Sequence, residues 1–388
     1  MKYFLLIFLF CSSVVFSQKM KQIKIVDLEN SKAIPNARII FDHQIYYSND
    51  DGFISLPENA KSFDVSISGY QSLSISDFQS IIHLKPLYKD IDEVKIVSVD
   101  VKKIFNEVYK NYNKIYYNKP AIYDITYSQK SFENNQMKLL MVADGKFWTR
   151  DGNYNAKEAF NNRFDNFVQM QIDDLRYLKT EKGDFDIKMK NQKGNHEFVG
   201  NFFFDYELYR IISLSNRKKS ITSARIIYEN QTEQEISYKI KMEADLIYTG
   251  NIIFNKKDRA ITHYELVFDQ KNHQPTEYKD LDGEKFQQQL PNGIYVFDFY
   301  KSGEKYVPSK ISLKFEGSKF TQGDKVFDFR NSREIIFKNL KGTDEKGLQN
   351  PVIIKGVFWK DMRVSDEKGM VNLSKEEQDF INEKADEN

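Results

Sequence analysis

Asn49-Asp50-Asp51-Gly52-Phe53-Ile54-Ser55-Leu56, continued by Phe63-Asp64-Val65-Ser66-Ile67-Ser68-Gly69-Tyr70, decides how the chain reads. Asp tolerates left-handed backbone angles and bonds its own backbone, and Gly52 reaches positive φ without steric cost. Residues 49–52 are therefore a tight turn feeding a strand. From Phe63 the residues alternate, with Phe63, Val65 and Ile67 on one side and Asp64, Ser66 and Ser68 on the other. Period two is a strand with one buried face. Gly69-Tyr70 stops it, and Leu73 and Ile75 resume the alternation.

Outward from this stretch the same rhythm continues. Ile23 and Ile25 open a strand, and Pro35-Asn36 turns the chain into Ala37-Arg38-Ile39-Ile40-Phe41. Further strands are expected near 45–48, 53–56, 62–68, 72–76, 80–84 and 91–97. Short strands with turn signals between them make a β-sandwich over residues 19–97.

Pro35-Asn36-Ala37, Asn49-Asp50-Asp51-Gly52-Phe53, Ser68-Gly69-Tyr70, Leu84-Lys85-Pro86 and Ile91-Asp92-Glu93-Val94 follow in this order. In that order they resemble the carboxypeptidase-regulatory-like domain, over about a fifth of the chain. The first strand, Lys24-Ile25-Val26-Asp27, departs from it in lacking a glycine often found there. The resemblance implies a seven-stranded transthyretin-like sandwich with no catalysis of its own, common in exported proteins of Bacteroidetes-type bacteria. Such domains stand beside peptidases, in front of TonB-dependent transporters and in envelope proteins.

Residues 98–360 read as a second, β-rich domain. Val101, Ile104, Phe105, Val108, Tyr112, Ile115 and Tyr116 recur at helical spacing, giving a helix over 101–117 with one apolar face. Asp100 caps its start, and Asn118-Lys119-Pro120 stops it. A helix followed by a long strand looks like the layout of envelope proteins in which the regulatory-like sandwich precedes a larger β-domain. Ile122–Phe132 and Met137–Trp148 form a hairpin across Asn134-Asn135. A helical insertion is expected over 156–178, from the partial stripe Ala156, Phe160, Phe164, Phe167 and Val168. Strands are expected near 196–204, 223–229, 234–243, 246–255, 259–269, 293–301, 305–317, 332–340 and 352–359. Ile236, Tyr238, Ile240 and Met242 alternate with Ser237, Lys239 and Lys241, as in an antiparallel sheet with one wet face. So many strands should curl. The fold class is mainly β: the sandwich, then a large antiparallel curved sheet or half-barrel packed on the helix. That arrangement vaguely resembles lipoprotein-carrier-like periplasmic domains. Residues 361–388 form a charged tail, in which Ser374 and Glu377 make a capping box for a short helix near 375–385.

The composition bounds function. Hydrophobic residues are 40% and aromatic residues 14% of 388, enough for real cores, and Phe (31) and Tyr (23) favour strands. The formal charge of +1 provides no net field for nucleic acid or anionic lipid. Residues 1–17 read as a signal peptide: Lys2, an apolar run from Tyr3 to Phe10, and small residues before a cut at Ser17–Gln18. Cys11, the single cysteine, lies inside it. Lipidation at Cys11 is the alternative, but Phe10 is bulky where a lipobox wants a small residue. No later stretch is apolar enough for a transmembrane helix. The expected location is periplasmic or outer-membrane-associated.

The search for chemistry yields little. His43, His83, His196, His263 and His273 include no pair four apart, so zinc-peptidase spacing is missing. Ser215, Ser302 and Ser365 each precede a lysine by three, an expected coincidence in a lysine-rich chain, and the companion motifs are absent. Asp50-Asp51, Asp173-Asp174 and Asp280/Asp282 are paired acids with the chemistry of glycosidase carboxylates or calcium ligands, but they read first as structural turns. Trp148 and Trp359 could stack on sugars or fill a core. The reading assigns no catalytic, cofactor-binding or metal residue and no cofactor. It favours a non-catalytic envelope protein with a docking or spacer sandwich and a β-domain binding a hydrophobic ligand or protein partner. The alternative is an envelope hydrolase on glycan or peptide using a carboxylate pair.

Overall fold

The computed structural model describes residues 20–42, 44–87, 97–189, 199–242, 246–270, 272–353, 359, 362–365 and 372–383. The segment 1–17, Cys11, His43, His196 and Ile91–Val94 lie outside the described residues. Two compact units form, one within residues 1–89 and 370–378, the other within 90–369 and 379–388.

Among the described residues the first unit has seven strands in two sheets, at the positions that the sequence rhythm predicts up to residue 84. One sheet has the order β4-β1-β7, with β1 Met20–Asp27, β4 Phe53–Pro57 and β7 Ile81–Leu84. The other has the order β3-β2-β5-β6, with β2 Arg38–Phe41, β3 Gln44–Tyr47, β5 Phe63–Ser66 and β6 Leu73–Ile75. Their inner faces meet in Ile23, Ile25, Ile39, Ile54, Leu56, Val65 and Ile82, each at most 1% exposed. At the turn before β4, Gly52 has φ 77°, and a Cβ there would come within 2.5 Å of the Ile25 carbonyl. The side chain that closes this turn is Asn49, whose Oδ1 accepts from the N–H groups of Asp51 and Phe53. Gly69 also takes a positive φ, 86°, and the Tyr70 hydroxyl then donates to the Asp27 carboxylate at 3.0 Å. The tail contributes to this unit. Asn49 Nδ2 donates to the Leu373 carbonyl at 3.1 Å, and Lys375 N–H donates to Asp51 at 2.6 Å. The capping box is present, with Ser374 N–H on Glu377 and Glu377 N–H on Ser374, opening the helix Lys375–Asn382.

The second unit is one antiparallel sheet of thirteen strands. These are β8 Val97–Ser98, β9 Ala121–Glu133, β10 Gln136–Thr149, β11 Val168–Thr180, β12 Ile221–Glu229, β13 Glu233–Lys241 and β14 Ile247–Asn255. They continue as β15 Ala260–Asp269, β16 Thr276–Lys279, β17 Lys285–Gln289, β18 Asn292–Ser302, β19 Lys305–Gln322 and β20 Lys325–Gly342. The order is β11-β10-β9-β20-β19-β18-β15-β14-β13-β12-β8, with the β16–β17 hairpin set on β19. The β9–β10 turn is Asn134-Asn135, both at positive φ (51° and 66°), the geometry that matches strand twist. Ile236, Tyr238 and Ile240 are buried on the inner face while Lys239 and Lys241 are exposed, so the alternation holds.

Five expectations are corrected. The helix 101–117 breaks at Asn111 into α1 (Val101–Lys110) and a separate turn, Tyr112–Ile115. Asp100 does cap α1, accepting from Lys103 N–H at 3.1 Å. Of the insertion at 156–178, only Ala156–Phe160 is α-helical and Phe164–Asn166 is a 3-10 turn, while Val168–Thr180 is strand β11. Its stripe was too partial to decide against extended β-branched and polar residues. Residues 199–204 are not a strand but lead into a second helix, α2 (Phe204–Ser215). At 352–359 the described residues hold only an isolated bridge, Val352 to Met170. Finally, Val97–Ser98 pairs with β12, so this strand belongs to the large sheet.

Candidate functional site

Both α1 and α2 lie on the inner face of the large sheet, and their apolar residues join its rings in one core. Phe105 of α1 meets Tyr238 edge-on at 5.4 Å and Tyr264 at 6.3 Å. Rings are rigid and their pairs prefer tilted or edge contacts, so they do not tile space completely. A cavity remains where the turn Tyr112–Ile115 and the segment Phe202–Phe204 approach strands β18, β19, β20, β9 and β10.

Tyr112, Tyr116, Phe202, Phe203 and Phe204 form one wall, and Tyr123, Phe147, Phe297, Phe299, Ile311 and Phe337 the other. Ring centroids approach to 4.8 Å for Tyr116–Phe299, 5.0 Å for Phe204–Phe299 and 5.5 Å for Phe147–Phe337. The room for water-sized molecules is ≈ 50 Å³. That exceeds the roughly 10–15 Å³ one water needs, yet falls short of the about 300–1,000 Å³ of ligand clefts. Anything longer than a few atoms must move rings aside.

The polar groups around this cavity are few, and several are engaged: Thr149 Oγ1 accepts from Gly152 N–H and Tyr306 donates to Asp258. Tyr116 Oη donates to the Ile261 carbonyl at 2.8 Å and accepts from Ile261 N–H at 3.2 Å. Burial pushes the hydroxyls of Tyr112, Tyr116 and Tyr123 far up, so they stay neutral donors. Beside the Phe202–Phe204 wall stands Asp205, in the first turn of α2. Both its oxygens accept the Tyr154 N–H, at 3.1 Å each. Tyr154 meets Tyr206 at a tilt, ring centroids 4.4 Å apart, so this bond ties the loop after β10, which carries the lining residue Gly152, to the start of α2. Burial pushes Asp205 up to about 7, against the Tyr154 and Tyr206 N–H groups that favour its charge, with Asp151 adding repulsion. Two residues on, Glu207 accepts from the Tyr264 hydroxyl at 2.9 Å and pairs with Arg210 at 3.3 Å. Burial raises Glu207 as well, opposed by Arg210. Although close in sequence, Asp205 and Glu207 bond different partners and form no catalytic pair.

The acids singled out in the sequence are held structurally. Asp173 pairs with Lys146 at 2.5 Å, and Asp174 with Arg176 at 2.7 Å. Arg176 also reaches Asp144, the cross-strand neighbour of Asp174, at 3.0 Å. Asp280 accepts the N–H groups of Asp282 and Glu284, a turn in which Gly283 sits at φ 88°. Asp282 pairs with Lys188. His263 Nδ1 lies 2.6 Å from Asp298 on the neighbouring strand. Trp148 donates to the Glu345 carbonyl at 3.1 Å, and Trp359 is buried in the core. Among the described residues no group of three His, Cys, Asp or Glu is placed to hold a metal.

Of the cavity lining, the sequence reading placed Tyr112 and Tyr116 on a buried helical stripe. It missed the lining residues Phe202–Phe204, and with them the neighbouring acids Asp205 and Glu207, because it took 196–204 as a strand. The available signal was Phe204, Leu208, Ile211 and Ser215, spaced at four, seven and eleven, behind acids suited to a helix start.

No family model matches this chain. No curated protein matches it either. Among solved structures it is similar to one describing lipid–protein interactions in lipovitellin, at 8% identity and TM-score 0.27, spanning 61% of this chain and 27% of that one. It is also similar to a LolA superfamily protein from Nitrosomonas europaea, at 8% identity and TM-score 0.21, over 64% of this chain and 95% of that one.

Proposed function

We propose that the second unit binds a slender hydrophobic ligand between the curved sheet and the helices lying on it, without turning it over. The aromatic cavity under Tyr116 and Phe204 carries this reading. An apolar gap bounded by one latch at Asp205 is a place where rings can part for a chain. Each methylene then buried contributes about 0.8 kcal/mol, so a chain of modest length offsets the cost of moving several rings. The carboxylates beside the cavity are tied up, Asp205 to Tyr154, Glu207 to Tyr264 and Arg210, and Asp258 to Tyr306 and Lys301, which favours binding over hydrolysis.

The rest of the reading rests on the sequence. We propose export, directed by residues 1–17, to the periplasm or outer membrane, with the sandwich a docking or spacer module of the carboxypeptidase-regulatory-like type. No helix among the described residues is long and apolar enough to cross a membrane.

The test incubates the full chain with fatty acids, phospholipids and envelope peptides, reading binding by calorimetry and products by mass spectrometry. Saturable binding with no product is expected. Hydrolysis lost on changing Asp205 or Glu207 would replace this reading with the hydrolase.

A further inference from the structure

On one side the cavity is bounded by the loop between β10 and the helix Ala156–Phe160. Gly152 of that loop is a lining residue with φ 69°, and a Cβ there would come within 2.7 Å of the carbonyl of Tyr117, another lining residue. The loop therefore lies close against the chain that leaves the turn Tyr112–Ile115. Two residues further on, the Tyr154 ring meets Phe167 and the lining residue Phe203, at 6.0 Å each. A polar tie crosses the same contact, since both oxygens of Asp205 accept the Tyr154 N–H at 3.1 Å. Asp205 directly follows the lining residue Phe204. Parting these rings for a chain pulls on that carboxyl.

Three elements face the Asp205 carboxyl with charged or titratable groups. From the loop, Asp151 repels its charge, while Asp151 itself pairs with Arg150 at 3.2 Å. From α1 and the turn after it come the hydroxyls of Tyr109 and Tyr112, both of which feel the Asp205 charge. On α2 the Tyr206 N–H favours that charge, and Glu207 and Arg210 pair with each other at 3.3 Å. Burial outweighs the favourable N–H groups and holds the carboxyl up at about 7 while the loop is closed. With the loop parted and water admitted, its value falls toward the ordinary 3.8. The closed state thus holds the proton more tightly and opening releases it. Opening is therefore favoured as pH rises from 3.8 to about 7, and levels off above that.

Resting on the binding reading above, we propose that Asp205 makes ligand uptake pH-dependent: ionisation of its carboxyl loosens the loop that carries Gly152 and lets the rings part for the chain. At ≈ 50 Å³ the cavity admits no chain without that parting. The bound state is accordingly the one in which the carboxyl is solvated and charged, so affinity rises with pH.

The experiment titrates the full chain with dodecanol, whose head does not ionise, at a series of pH values, and repeats this with Asp205→Asn and Asp151→Asn. The wild type should bind about tenfold tighter at pH 7.5 than at pH 5, less than the full linkage because the carboxyl is partly exposed. Asp205→Asn, neutral at every pH, should keep the wild type's low-pH affinity throughout, with an unchanged circular dichroism spectrum reporting an intact fold. Asp151→Asn removes a repelling charge and should end the rise at a lower pH, which keeps the proposal testable if Asp205→Asn fails to fold. Equal affinity at both pH values in the wild type would overturn the latch and leave the hydrophobic reading standing. A rise surviving in Asp205→Asn would assign it to another group, such as Glu207, and overturn the role of Asp205, as would a rise unmoved in Asp151→Asn. Absence of dodecanol binding at every pH would remove the cavity reading and the latch with it.

Discussion

The two units solve the same problem with different side chains. The sandwich core is aliphatic, built on Ile, Val and Leu, with Phe63 the one buried ring among its described residues. The core of the large sheet is crowded with Phe and Tyr. Branched aliphatics interlock at crystal-like density and bring no polar atoms that need partners. Rings cover more area but leave gaps, and each buried Tyr needs a partner for its hydroxyl. Tyr116 finds Ile261, Tyr238 finds the Glu265 carbonyl, and Tyr264 finds a buried carboxylate. The aromatic core therefore encloses a ring-lined cavity and the buried Glu207 beside it, whereas the sandwich core packs aliphatic side chains.

Four measurements break or sharpen this contrast. Both tryptophans, Trp148 and Trp359, belong to the large unit, so their fluorescence follows its unfolding. The largest effect is expected for Phe105→Ala, which removes a fully buried ring and should cost roughly 3–5 kcal/mol in that transition. A loss below about 1 kcal/mol would mean that the rings are loosely packed. In the sandwich, Gly69→Val forces a β-branched residue to φ 86° and should cost about 1–3 kcal/mol. Far-UV circular dichroism should register it with the tryptophan transition unmoved; an unchanged melt would show that Gly69 is an ordinary residue.

Asp205 makes the aromatic unit pH-sensitive. Its folded value, raised to about 7, exceeds the ordinary carboxylate value of 3.8, so the folded state holds the proton more tightly. The stability this provides is fully present below pH 3.8 and is lost as pH rises to about 7. With its side chain still partly exposed, about 1–2 kcal/mol of that dependence should appear between pH 5 and 7.5. Asp205→Asn should flatten it, and an identical slope in the variant would assign the dependence to another group. The smallest effect is expected for Ile25→Val in the sandwich, about 0.5–1.5 kcal/mol, because an aliphatic core sheds one methyl with little rearrangement.

The sandwich was legible because its signals are local. The Asn49–Gly52 turn, the Phe63–Ile67 alternation and the stop at Gly69 each lie within a few residues. The hairpin at Asn134-Asn135 was legible for the same reason. Boundaries failed where two periods compete, as at 156–178, where rings at helical spacing sit beside strand-forming residues, and at 199–215, where the consecutive Phe202-Phe203-Phe204 hid a helix start. The cavity could not be read at all. It depends on rings from β9, β10, β18, β19 and β20 meeting Phe204, and that registry across some 230 residues is a property of sheet order.

Hydrogen exchange on the full chain, with and without saturating dodecanoate, tests most directly that the aromatic core is the part that receives a ligand. Ligand should alter the protection of Tyr112–Tyr117 and Phe202–Tyr206, and leave β1 and β4 of the sandwich as they were. Exchange unchanged in both aromatic segments at saturation, or a change confined to β1 and β4, would contradict the assignment of binding to the aromatic core.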